Sequence, residues 1–95
     1  AYGDDIYATA SGTVIFSGYN GGYGYMIKID HGEGITSIYG HTSKLLVKKG
    51  DEVEKGQVIA LVGSSGVSTG PHVHFEIRID DVPVNPIPFI NGGKE

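Results

Sequence analysis

The sequence predicts an all-β domain, and three observations carry that expectation. Apolar runs are short and bounded by glycine, of which the chain has 16, and glycine between such runs marks tight turns. No stretch of ten or more residues repeats its apolar positions with the 3.6-residue period of a helix. Several runs instead alternate apolar and polar residues, the two-residue period of a strand with one buried face. With 39 % apolar, 9 % aromatic and 19 % charged residues, the 95-residue chain is composed as one folded domain with a small core.

Gly12-Thr13-Val14-Ile15-Phe16 reads as a strand opening after the Ser11-Gly12 turn. Gly18 to Gly24 is a glycine-tyrosine loop, and Tyr25 to Ile29 is a strand that ends at the turn Asp30-His31-Gly32-Glu33-Gly34. Ile35 to Tyr39 pairs back across that turn as a hairpin. Lys44 to Val47 is a short strand, and Lys49-Gly50-Asp51 turns the chain. Gln57 to Val62 is a continuous apolar run of the kind a buried strand shows. After the Gly/Ser loop from Gly63 to Pro71, His72 to Ile79 forms a strand, Asp80-Asp81 turns, and a Pro-rich tail ends the chain. The expected architecture is a small antiparallel sandwich or flattened barrel, with Val14, Phe16, Ile29, Ile38, Val53, Val58, Leu61, Phe75 and Ile77 in its core. Ile27-Lys28-Ile29-Asp30 recurs as Ile77-Arg78-Ile79-Asp80, a weak internal duplication compatible with a duplicated hybrid motif.

Charge and composition exclude several functions. A net charge of −4 leaves no basic patch for nucleic acid and no polybasic stretch for an anionic membrane. Lys44, Lys48, Lys49 and Lys55 are interrupted by Asp51, Glu52 and Glu54, which reads as a solvated hairpin. The chain has no cysteine, hence neither a disulfide framework nor a thiol nucleophile. No apolar run approaches the ~20 residues of a membrane-spanning helix. Beginning at Ala1-Tyr2-Gly3 without methionine, the chain is expected to be a piece of a longer protein.

The chemistry-bearing residues are the four histidines. In Ser68-Thr69-Gly70-Pro71-His72-Val73-His74-Phe75-Glu76, alternation puts His72, His74 and Glu76 on one face and Val73, Phe75 and Ile77 on the other. Two imidazoles about 6–7 Å apart along a strand can serve one centre. In Tyr39-Gly40-His41 the same alternation places Tyr39 and His41 on a common face. If that face lines the same cleft, three imidazoles and a phenol converge, and Tyr39 is assigned to substrate contact. Zinc suits such a set, because imidazole is a common zinc ligand and the metal activates water. A surface pair without function is the alternative reading of the spacing. His31, inside a turn signature, reads as structural.

A second pattern, from Val47-Lys48-Lys49-Gly50-Asp51 through Lys55-Gly56-Gln57-Val58-Ile59, looks like the strand-turn grammar of lipoyl and biotinyl carrier domains. The next residues, Ala60 to Gly66, contain no lysine to carry a cofactor. Shared scaffold grammar does not fix function.

Taken together, the motifs resemble the lysostaphin-type (LytM-like) zinc endopeptidases of peptidoglycan. The resemblance covers about residues 3–86 of a single domain, with 87–95 as a tail. It rests on Ile6-Tyr7-Ala8, Gly12-Thr13-Val14, Tyr39-Gly40-His41, the Gly50-Asp51-x-Val53-x-Lys55-Gly56-Gln57 turn, Gly63 through Glu76, and Pro83-Val84-Asn85-Pro86. The interval from His41 to His72 also fits the family. The resemblance implies His74 as a zinc ligand and His41 and His72 as catalytic residues that move protons at a metal-activated water. Its further implications are a peptidoglycan peptide as substrate and an extracytoplasmic location. Gly18 to Gly24 and Gly63 to Gly70 are the candidate cleft walls.

One departure matters. The family's other zinc ligands form an HxxxD motif that has no counterpart in this chain, and Asp4 or Asp5 is the only stand-in carboxylate nearby. The 95-residue chain is therefore expected to be impaired, with zinc held poorly. The alternative is a non-catalytic domain of the same fold that binds cell-wall peptide or a partner protein. Self-association through an exposed sheet edge is a further expectation.

Overall fold

The computed structural model describes residues 3–63 and 74–84. They form eight strands: β1 (Asp5–Tyr7), β2 (Gly12–Tyr19), β3 (Tyr25–Gly32), β4 (Ile35–Leu45), β5 (Glu52–Val53), β6 (Val58–Val62), β7 (His74–Ile79) and β8 (Val82–Val84). The only helical element among the described residues is a single 3-10 turn, Gly21–Tyr23, inside the glycine-tyrosine loop. Every pairing is antiparallel, in the order β1-β6-β4-β3-β2-β5, with β7 added to β4 and β8 to β7. The all-β expectation is borne out as one sheet that curls into a half-barrel.

The long strand β4 organises the sheet. The sequence suggests two strands there, ending at Tyr39 and resuming at Lys44, whereas the chain runs on as one strand from Ile35 to Leu45. Continuity is kept by a bulge. Tyr25 pairs with Thr42 and Ile27 with Tyr39, so Gly40 and His41 together face Met26. One edge of β4 carries β3. The other edge carries β7 opposite residues 35–40 and β6 opposite residues 42–45. His41, with a left-handed φ of 58°, is the position at which β4 changes partners.

The core lies on one face of this sheet and draws Ile6, Ala8, Val14, Ile27, Ile29, Tyr39, Val53, Ile59, Ala60 and Val62 together, with Phe75 packed against it. Val14, Ile29, Ile38, Val53 and Ile77 are buried as expected. Four expected core residues, Phe16, Val58, Leu61 and Phe75, are only half-buried, Phe75 while packing against the core. Bulges account for Phe16 and Val58. Val14 pairs with Ile29 but Phe16 pairs with Lys28, so Ile15 is an extra residue that turns Phe16 to the opposite face. Ile6 pairs with Ala60 and Tyr7 with Val58, which makes Ile59 the extra residue and buries it beside Ala60.

A polar path runs from the buried Ser37 and Tyr39 out to the surface. The Tyr39 hydroxyl accepts the Thr9 N–H at 3.1 Å and lies 3.0 Å from Thr9 Oγ1 and 2.8 Å from Ser37 Oγ. Ser37 Oγ is 2.7 Å from His31 Nε2, and His31 Nδ1 is 2.7 Å from the Ser11 carbonyl. His31 is thus a strut between the 9–11 segment and the hairpin β3–β4, matching its structural reading. Tyr39→Phe leaves Thr9 and Ser37 short of a partner. The expected cost is about 1–3 kcal/mol, seen as a lower urea midpoint at unchanged slope.

Candidate active site

The site is built on the sheet face opposite the core. Alternation along β7 sends Phe75 and Ile77 inward and presents His74, Glu76 and Arg78 outward, next to Gly40, Ile38 and Thr36 of β4. Gly40 makes room there. A Cβ at that position would sit 3.2 Å from Tyr23 Cδ1 and 3.5 Å from His74 Cβ, so the absent side chain lets Tyr23 fold over the strand. The Tyr23 ring meets His74 edge-on at 5.3 Å between centroids. His41 arrives from the bulge with its ring centroid 5.8 Å from that of His74. Gly22, Tyr23, His41, His74 and Glu76 line a common cavity of 330 Å³.

Glu76 is the electrostatic hub. Its Oε2 accepts the Tyr23 hydroxyl at 2.7 Å and His74 Nε2 at 2.8 Å, while Oε1 accepts Arg78 Nε at 2.9 Å. Arg78 Nη2 also donates to the Tyr23 oxygen at 3.0 Å. Burial alone would push the Glu76 pKa up, but hydrogen bonds from His74, Tyr23 and Arg78 and the charge of Arg78 outweigh it, lowering the pKa to about 2. The hydrogen bond to Glu76, with some desolvation, raises the Tyr23 pKa and keeps the phenol protonated. Arg78 is likewise held charged, chiefly by its hydrogen bond to Glu76.

The His41 backbone is pinned from the far side. Gly63 N–H donates to the His41 carbonyl at 3.0 Å. A Cβ on Gly63 would run into the backbone nitrogen and Cα of Ser43, so only glycine admits this approach. Gly63→Ala is expected to cost about 2 kcal/mol by overpacking. It should also move the His41 resonances in a heteronuclear correlation spectrum, and an unchanged His41 environment would contradict the coupling.

The histidines anticipated from the sequence are partly brought together. His41 and His74 share the cavity, whereas His72 lies outside the described residues, as does most of the wall from Gly63 to Gly70. The expected common face for Tyr39 and His41 is corrected. The bulge rotates His41 away, leaving Tyr39 1 % exposed on the core side, where it lines a separate depression with Ile6, Thr9, Val62 and Phe75. The phenol beside the histidines is Tyr23. Its signal was the Gly-Gly-Tyr-Gly loop, and that of Arg78 was the period-two row His74, Glu76, Arg78.

The donors can be weighed against zinc. Glu76 takes the Nε2 proton of neutral His74 as a hydrogen bond, which leaves Nδ1 as that imidazole's lone-pair nitrogen. His74 therefore suits one coordination position. Among the described residues, however, no three of His, Cys, Asp and Glu come close enough to hold a metal. Neither Asp4 nor Asp5 lines the histidine cavity. Since catalytic zinc commonly has three protein ligands, the described residues alone do not make a zinc site.

Comparison with known proteins decides the family. The sequence model of peptidase family M23 matches residues 1–86. The chain belongs to peptidase family M23. The lysostaphin-type resemblance is thereby borne out at the level of the family. Among curated relatives of this M23 domain, the DD-carboxypeptidase/endopeptidase Mpg of Neisseria meningitidis serogroup B is 45 % identical over 85 residues, 90 % of the chain and 20 % of the relative. The murein hydrolase activator EnvC of Escherichia coli is 43 % identical over 88 residues, 93 % of the chain and 21 % of the relative. The M23 domain thus spans about a fifth of the length of these relatives. Its fold matches the crystal structure of a zinc containing peptidase from Vibrio cholerae with a TM-score of 0.85 at 40 % identity, covering 88 % of this chain and 26 % of that one.

Proposed function

We propose that this M23 domain contributes the histidine side of a zinc-dependent endopeptidase site that cuts peptide cross-links of peptidoglycan. The observation that carries the reading is the pairing of His41 with His74 in one cavity, with Glu76 committing His74 Nε2 and leaving Nδ1 available. Zinc, where it binds, supplies a Lewis acid and lowers the pKa of water to near neutrality. Completing its ligand set falls to residues other than the described ones.

The chain's own residues then divide the work. His74 is the metal donor. His41, poised beside it, takes a proton and returns it to the leaving amine, and His72 shares that duty. An extended, side-chain-poor peptide fits a cleft whose floor is the β4–β7 face and one of whose walls is the Gly21–Tyr23 turn. Such a substrate puts the domain outside the cytoplasmic membrane. Mpg, named as a DD-carboxypeptidase/endopeptidase, and the zinc containing peptidase support this reading.

A second reading has its own observation. The lack of a three-donor group among the described residues suits a domain that grips cell-wall peptide or a partner protein without cutting, and EnvC is named an activator of murein hydrolases. The two readings separate in one experiment. Purified peptidoglycan is incubated with the protein and zinc, and new amino groups are counted alongside protein that sediments with the wall. Amino-group release that His74→Ala abolishes supports the endopeptidase. Sedimentation without release, in both proteins, supports the binder.

A further inference from the structure

We propose that Tyr23 and Arg78 are positioning residues that act through Glu76 to hold the His74 ring in one tautomer and one orientation, with Nδ1 facing the cavity. The inference rests on the reading of His74 as a metal donor, but its geometry stands by itself.

Each oxygen of Glu76 is already engaged before His74 is considered. Oε2 accepts from Tyr23 at 2.7 Å and Oε1 from Arg78 Nε at 2.9 Å. Arg78 Nη2 closes the ring by donating to the Tyr23 oxygen at 3.0 Å. A carboxylate held at both oxygens cannot turn, so its remaining acceptor direction on Oε2 is fixed in space, and His74 Nε2 fills it at 2.8 Å. Two rings then flank the imidazole, Tyr23 at 5.3 Å with a 61° interplanar angle and His41 at 5.8 Å with 81°.

The alternatives to this arrangement are costly in function. A 180° turn of the ring about χ2 would put a carbon where Nδ1 now stands. Moving the proton from Nε2 to Nδ1 would remove the lone pair there. The ring of hydrogen bonds disfavours both, because either change leaves Glu76 without its third donor. Metal-binding histidines commonly have their second nitrogen oriented by a carboxylate, and removing such a partner typically weakens metal binding by 10–100-fold. Here the orienting carboxylate is itself oriented, by a tyrosine 53 residues away in sequence and an arginine two residues on. The Tyr23 turn is thereby tied to the histidine strand, so the wall and the donor are set together.

The test uses the 95-residue chain and its Tyr23→Phe, Arg78→Ala and Arg78→Lys variants. Long-range ¹H–¹⁵N spectra at about pH 8, where imidazole is mostly neutral, report the tautomer of His74 and the exchange of its Nε2 proton. Zinc is then titrated to millimolar concentration while the His74 Nδ1 signal is followed. The expected result is a protected Nε2 proton in the parent chain, lost in Arg78→Ala and weakened in Tyr23→Phe. The zinc midpoint at Nδ1 should rise about tenfold in those two variants. Arg78→Lys keeps the charge but loses the planar fork whose Nε and Nη2 reach Glu76 and Tyr23 separately, so it should fall between. Urea unfolding of each variant shows whether it is folded. An unchanged Nε2 proton and zinc midpoint in folded Arg78→Ala and Tyr23→Phe would overturn the proposal. Loss of the proton in the variants, with zinc moving no His74 nitrogen in any chain, would support the positioning role and defeat the metal-donor reading.

Discussion

His41→Gly is expected to be more stable than His41→Ala, by about 1 kcal/mol, although both remove the same imidazole. In an ordinary strand the order would be reversed, since glycine has the larger conformational entropy to lose. His41 is not in ordinary strand geometry. Its φ of 58° is left-handed, a conformation in which a Cβ costs about 1–2 kcal/mol and glycine almost nothing. Histidine is among the non-glycine residues found there more often than most. The residue is also 6 % exposed, wedged where β4 passes from β7 to β6. On the proposed function, both variants lose roughly 10²–10⁴ of the rate of amino-group release, the usual contribution of a positioned proton-transfer group. Urea midpoints and initial rates measured together check the two parts separately. Alanine equal to or better than glycine would mean that the bulge relaxes once the ring is gone. A retained rate would remove His41 from the proton transfer. The predicted combination, a gain from glycine over alanine with equal loss of rate, is the signature of backbone strain kept in place for a side chain.

That bulge also marks the boundary of what was legible in the sequence. The all-β class was readable because glycine-bounded runs and period-two alternation are local signals, and local signals survive in strands such as β3 and β7. Alternation correctly separated His74 and Glu76 from Phe75 and Ile77, and the same row continues to Arg78. It failed wherever one strand carries an extra residue. Ile15, Ile59 and the Gly40-His41 pair each insert one, and each flips the residues beyond it to the other face. Phe16 therefore left the expected core, Val58 gave way to Ile59, and Tyr39 parted from His41. A bulge is a property of two paired strands, so one strand's sequence does not announce it. Tyr23 was hidden for a similar reason. Its place beside His74 depends on a hairpin folding over a strand whose facing residue, Gly40, has no side chain.

Acidification in the presence of a chelator is expected to cost the domain about 3 kcal/mol between pH 4.5 and pH 2, and Glu76→Gln should remove most of that slope. The sign comes from the direction of the shift. Glu76 has a pKa of about 2 in the folded chain against an ordinary 4.5, so the unfolded chain takes up its proton first as pH falls. The stabilisation is fully present above pH 4.5 and is lost progressively as pH drops through the folded value. A difference of about 2.5 units corresponds to roughly 3 kcal/mol at 1.36 kcal/mol per unit. The side chain is only 19 % exposed, so solvent screens the interaction incompletely. Asp51, also lowered, chiefly by the Lys48 backbone N–H, is a surface carboxylate whose loss of charge accompanies the same fall. It will contribute a background slope that Glu76→Gln leaves in place. At neutral pH the glutamine variant should be less stable, because Arg78 and Tyr23 lose an anionic acceptor. Near pH 2 the two proteins should converge. Urea midpoints across this range make the comparison, and parallel curves offset by a constant amount would show that Glu76 is already protonated where the ring of donors says it is charged.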